Sequence, residues 1–199
     1  MELNSRRLLY FLLSLFVGGL SQALSASNGD YSAYDDHTLY TMSSAGDHMA
    51  TLELGARRFE FSGDDEGYWM AAYQSGDGNI LLDLVQHSEV RRSENPDITA
   101  IEEDDAVRLN RLANRLARVV VAIRLGADED RASRLYARLA EEAEGDVTVI
   151  AAAHTNAETM LMSIACGRKK DGVEQIPAIS SMLQSGDLTL ICPNDGESS

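Results

Sequence analysis

Between residues 49 and 86 the chain alternates apolar or aromatic positions with polar ones in short runs. Residues 49–54, 57–61, 68–73 and 79–86 are such runs, separated by Gly55-Ala56, by Gly and Asp at 63–65, and by Ser75-Gly76-Asp77-Gly78. Alternation places successive side chains on opposite faces of a strand, and Gly supplies the positive φ that a hairpin turn needs. The pattern predicts an antiparallel β meander over about 40–86, with residues 39–42 as an edge strand. On that reading Phe59 and Phe61 share one face, and Trp69 lies on the opposite parity from Tyr68 and Met70. One aromatic set would fill the core and the other would offer a sugar- or protein-binding patch.

The periodicity changes after Pro96. Thr99-Ala100-Ile101-Glu102 has the form of a capping box, and Leu109, Leu112, Leu116, Val120 and Ile123 follow at helical spacing up to Gly126. Asp128 caps a second run carrying Leu135, Leu139 and Ala143, which ends at Gly145. A helical hairpin over about 99–144 is therefore expected. Beyond it, residues 147–151 resemble a buried strand, and His154 precedes a second capping box, Thr155 to Glu158, that would open a helix to Cys166. Pro177 and Gly186 bracket a short helix, and residues 188–191 form a last strand. The expected fold class is α+β: the meander, packed with the hairpin and with a C-terminal strand-helix-helix-strand segment.

The first 25 residues have a different composition. Arg6 and Arg7 lead into an apolar run from Leu8 to Leu20, followed by small residues at 21–25. As a helix the run covers roughly 20 Å, too little for a bilayer core of about 30 Å. A charged start, a short apolar run and small residues are the marks of a cleavable export signal, here residues 1–25. Ser5-Arg6-Arg7-Leu8-Leu9 also resembles the start of twin-arginine signals. Residues 26–38 read as a flexible lead-in and 39–199 as one domain. Both cysteines, Cys166 and Cys192, fall in the exported part, where an oxidising compartment would join them. The chain is accordingly expected in a bacterial periplasm or outside the cell, with no stable membrane insertion after signal cleavage.

With 32 acids against 17 Lys and Arg, the net charge is −15. That argues against nucleic acid as a partner. Removal of the leader takes only Glu2, Arg6 and Arg7 with it, so the acidity belongs to the mature domain. The basic residues concentrate as two stripes: Arg108, Arg111, Arg115 and Arg118 on the first hairpin helix, and Arg131, Arg134 and Arg138 on the second. They are the candidate binding residues, as a docking face for an anionic ligand or another protein. Asp104 and Glu142, each one turn from an arginine, can neutralise part of that face.

No dedicated chemistry stands out. The acidic clusters at 64–66 and 128–130 lack the alternating acids, central Gly and distal Glu of a calcium loop. The four histidines lie far apart without zinc-ligand spacing, and there is no P-loop, dinucleotide fingerprint or Gly-x-Ser-x-Gly. No metal or cofactor is expected. His154, at a strand-to-helix junction, is the one weak catalytic candidate. These features point to an exported, disulfide-stabilised binding protein of the inhibitor, immunity or assembly-adaptor type. Two alternatives are a small exported hydrolase using His154, and a cytosolic acidic secretion chaperone in which residues 8–20 form the first helix.

Overall fold

Aspartates start most of the described helices, and glycines stand at or just past the ends of most of them. The structure, a computed structural model, describes residues 30–94 and 104–192. The leader at 1–25 and the capping box at 99–102 lie outside the described residues. Contacts divide the chain into a unit up to Asp35 and a second from Asp36 onward. The described part of the first is a 3-10 turn, Tyr31–Ala33, capped by the Asp30 carboxylate, which accepts from the Ser32 amide at 3.1 Å.

Among its described residues, the second unit contains only helices and connections. They are α1 (Asp36–Ser44), α2 (His48–Ser62), α3 (Glu66–Ser75), α4 (Asn79–Glu94), α5 (Asp105–Arg124), α6 (Glu129–Glu142), α7 (Val147–Lys170) and α8 (Pro177–Ser185). The expected β meander is therefore wrong: residues 40–86 form part of α1, all of α2 and α3, and part of α4. Residues 49–54 and 57–61 belong to one helix. Its first turn is held by Asp47, whose carboxylate accepts from the amides of Met49 at 3.0 Å and Ala50 at 3.2 Å. It stops at Gly63, which takes a left-handed φ of 79° and bonds back to the Phe59 carbonyl.

Gly55, read in the sequence as a hairpin link, lies mid-helix where α2 crosses α3. A Cβ on it would sit 2.8 Å from the backbone of Gly67, so the pair lets two helices approach to backbone contact. The buried positions of α2 are Ala50, Thr51, Leu54, Gly55 and Phe59, a 3.6-residue stripe made mostly of small residues. In α3 the buried set is Tyr68, Ala71 and Ala72, again helical spacing. Phe59 and Phe61 consequently point apart: Phe59 is in the core and Phe61 is 92% exposed.

Two C-terminal strands are also corrected. Residues 147–151 are the first turn of α7, capped by Asp146, which accepts from the Thr148 amide at 2.8 Å. Residues 188–191 are an irregular segment whose Leu188 is buried and whose amide donates to the Met182 carbonyl at 3.1 Å. The helical hairpin is present as α5 and α6, with Asp128 accepting from the Arg131 amide at 2.7 Å. The short helix bracketed by Pro177 and Gly186 is present as α8.

The helices pack in chain order from α1 to α6, and α7 then returns to lie along α5. With α4, α6 and α7 around it, α5 is buried on most of its circumference through Leu112, Ala113, Leu116, Ala117, Val119, Val120, Val121 and Ala122. Each fully buried aliphatic side chain contributes about 1.5–3 kcal/mol, so α5 is the structural axis. Cys166 of α7 and Cys192 are joined as a disulfide, Cα to Cα 5.5 Å, and the bridge fixes the C-terminal segment. Among the described residues no helix is long and apolar enough to cross a membrane.

Candidate functional site

The arginine stripes face other helices more than solvent. Arg115 is buried and reaches Glu89 of α4 and Glu142 at the end of α6, the latter at 3.2 Å. Arg118 pairs with Asp65, ahead of α3, and lies 5.9 Å from the centre of the Trp69 ring. Desolvation lowers its affinity for its proton, against the pull of Asp65. Arg131 binds Asp83 at 2.6 Å as well as Gln86, and Arg138 pairs with Glu89. Arg108 lies 3.8 Å from Asp105. Arg111 is partly buried, while Arg134 is exposed with no bonded partner among the described residues. Arg108 is paired within its own helix, with Asp105 where Asp104 was anticipated, while Arg138 reaches across to Glu89 of α4. Glu89 joins the two stripes by taking Arg115 and Arg138 together.

Another arginine, outside the predicted stripes, closes the far end of the bundle. Arg168 is buried near the end of α7 and donates to the carbonyls of Tyr73, Gln74 and Glu174, the last at 2.7 Å. Its guanidinium lies over the Tyr73 ring, and the Tyr73 hydroxyl donates to Asp171 at 2.6 Å. Desolvation first, and the Asp171 bond second, push the Tyr73 hydroxyl up to about 12. Buried carbonyls at a helix end need donors, and a planar guanidinium supplies several at once.

The histidines stay apart. His154 is exposed on α7, seven residues beyond its first residue, with no hydrogen-bond or ion-pair partner among the described residues. The strand-to-helix junction that nominated it does not exist, and Thr155, read as a helix cap, donates its hydroxyl to the Ala151 carbonyl one turn back at 3.2 Å. His87 has a partner that the sequence did not suggest: its Nδ1 lies 2.6 Å from the Tyr68 hydroxyl, and the ring pairs Phe59–Tyr68 and Tyr68–His87 both meet edge to face. Desolvation, then nearby carboxylates led by Asp83, push Tyr68 up to about 12. That tyrosine is a poor nucleophile at neutral pH. Among the described residues no group of three or more His, Cys, Asp or Glu could hold a metal ion.

A concave feature is formed by the first three helices. A groove of about 150 Å³ has α2 as its floor, with Leu54, Gly55 and Arg58, and is walled by Tyr40 and Ser43 of α1 and by Glu66 and Met70 of α3. At one end the Ser43 and Thr51 hydroxyls meet at 2.7 Å, and Thr51 lies 2.8 Å from the Gln74 side-chain oxygen. At the other, Arg58 bonds the Tyr40 hydroxyl and lies over its ring. Tyr40 and Met70 are exposed, and Phe61, seven residues after Leu54 on the α2 stripe, continues the apolar line past Arg58. The β reading assigned these residues to strands, so it could not bring Tyr40, Arg58 and Met70 together. No family model, no curated protein and no solved structure matches this chain.

Proposed function

We propose that this chain is an exported binding protein whose partner is a cationic protein. The observation that carries the reading is the division of charge between interior and surface. Arg115, Arg118, Arg131 and Arg168 are committed to bonds between elements. Among described side chains, the exposed cations are Arg58, Arg134, Arg138, Lys169 and Lys170. Acids remain exposed along most helix starts and connections: Asp36, Asp64, Glu66, Asp77, Asp104, Asp105, Asp128, Glu129 and Asp130. A surface on which acids predominate steers an oppositely charged partner and discriminates against like-charged ones. The disulfide supports the export part of the reading, since such bridges persist in oxidising compartments.

Cross-linking in the exporting host, followed by purification of the captured protein, tests the proposal. The expected partner is basic, and its affinity for the isolated oxidised chain falls at least severalfold between about 50 and 200 mM salt, as the screening length shrinks to about 7 Å. An acidic partner, salt-independent binding, or hydrolase activity that disappears in His154→Ala would overturn it.

A further inference from the structure

We infer that the groove between α1 and α3 is the docking site for a basic helix that inserts one apolar side chain. This rests on the cationic-partner reading and gives it a place. A volume of about 150 Å³ matches a cavity that holds benzene, so it has room for one leucine- or methionine-sized group and not for a whole helix. The anchor would lie against Leu54 and Met70, beside the crossing where Gly55 and Gly67 bring α2 and α3 together.

Two further observations select the occupant. The first is the exposed apolar set beside the groove. Tyr40, Met70 and the 92% exposed Phe61 are residue types enriched in interface cores, and Arg58 already lies against the Tyr40 ring. Phe61 follows the lining residue Arg58 by three positions on α2 and so extends this set beyond the groove itself. The second is the charge around that set. Glu66 lines the groove, Asp64 and Glu66 both act on Arg58, and Glu60 is exposed beside Phe61. Arg58 thus faces Asp64 and Glu66, while its neighbour Arg57 is taken up by Asp36 and Glu53. An apolar centre with an acidic rim fits a helix that presents one large apolar residue between lysines or arginines.

The test uses the oxidised chain and two synthetic 16-residue Lys/Ala helical peptides, one with a central leucine and one with alanine there. The leucine peptide is expected to bind about tenfold more tightly, the factor that about 1.4 kcal/mol of added apolar burial gives. Phe61→Ser and Met70→Ser, at exposed positions and checked for unchanged circular dichroism, should reduce leucine-peptide binding towards the alanine level. Asp128→Asn with Glu129→Gln, away from the groove, should lower both peptides equally. A photo-cross-linker at the leucine position should label Tyr40 or Met70. Equal binding of the two peptides, or indifference to Met70→Ser, overturns the site and leaves the cationic-partner reading standing. Absent or salt-independent binding by both peptides overturns both. A dimer in sedimentation that Phe61→Ser converts to monomer also overturns the site, because a second copy would then be the occupant.

Discussion

Replacing Arg115 by methionine separates a structural arginine from a ligand-binding one. Arg115→Met retains a long apolar stem and removes the charge that Glu89 and Glu142 share. The two carboxylates are not equivalent. The Glu142 side chain is 41% exposed, so water replaces the lost partner and that pair is worth less than about 1 kcal/mol. The Glu89 side chain is 23% exposed and sits between helices, so it is left desolvated with Arg138 as its remaining partner. Breaking a buried pair costs about 3–5 kcal/mol, and the surviving Arg138 contact places the expected loss near the lower end, about 3 kcal/mol. Urea unfolding followed by far-ultraviolet circular dichroism reads this directly. With an m value of about 2 kcal/mol/M, the midpoint falls by roughly 1.5 M at unchanged slope. Arg115→Met with Glu89→Leu should recover most of the loss, since removing both charges leaves no carboxylate stranded between helices. A loss under about 0.5 kcal/mol, or a double variant no more stable than the single one, refutes the reasoning. A stripe built to hold an anion gives the reverse pattern, with intact stability and lost binding.

Three other perturbations follow from the geometry. Gly67→Ala drives a Cβ into the Gly55 backbone where α2 crosses α3, and with backbone on both sides the clash is expected to cost about 3 kcal/mol, roughly 10 °C in a thermal melt; wild-type melting would refute the close approach. Reducing the bridge between Cys166 and Cys192, 26 positions apart, should lower stability by about 3.5 kcal/mol, seen as a lower urea midpoint in dithiothreitol that Cys166→Ala/Cys192→Ala reproduces without reductant. Tyr68 and Tyr73, both raised to about 12, hold their protons more tightly folded than the usual value of about 10, so the folded chain binds more protons between those values. Stability is then full below about pH 10 and is lost as pH rises through about 12; absorbance at 295 nm should show two late tyrosines, and a single transition near 10 would refute the assignment.

The helix-termination code was legible where it stood beside large apolar residues at helical spacing. Leu112, Leu116, Val120, Leu135 and Leu139 are buried, and Gly126, Asp128, Pro177 and Gly186 act at the positions their chemistry suggests. The N-terminal half misled for a physical reason. Its helices bury small side chains, Ala50, Thr51, Gly55, Ala71 and Ala72, which leave no bulky periodic signal, while Phe61, Trp69 and Met70 imitate strand alternation from exposed or half-exposed positions. Alanine and glycine between helices set how closely the backbones approach, and close approach lies outside what hydrophobic spacing reports. Asp47 two residues before Met49 and Gly63 after the run were a start and a stop for one 15-residue helix. They were outweighed by β propensity, a preference that tertiary packing overrides.

The arginine stripes carried a second signal in their spacing. Arg115 lies three residues after Leu112 and four before Val119, and both are fully buried. A side chain at i+3 and i−4 from two core residues shares their face, so helical periodicity by itself puts Arg115 on the apolar side of α5. A charge on that face must meet acids from neighbouring helices, and Glu89 and Glu142 are those acids. The groove could not be found this way. Tyr40, Arg58 and Met70 come from three helices, and their meeting depends on Gly55 and Gly67 letting α2 and α3 touch. Each residue alone is an ordinary surface side chain. The same glycine pair that hid the fold from hydrophobic spacing therefore brings the groove's walls and floor together.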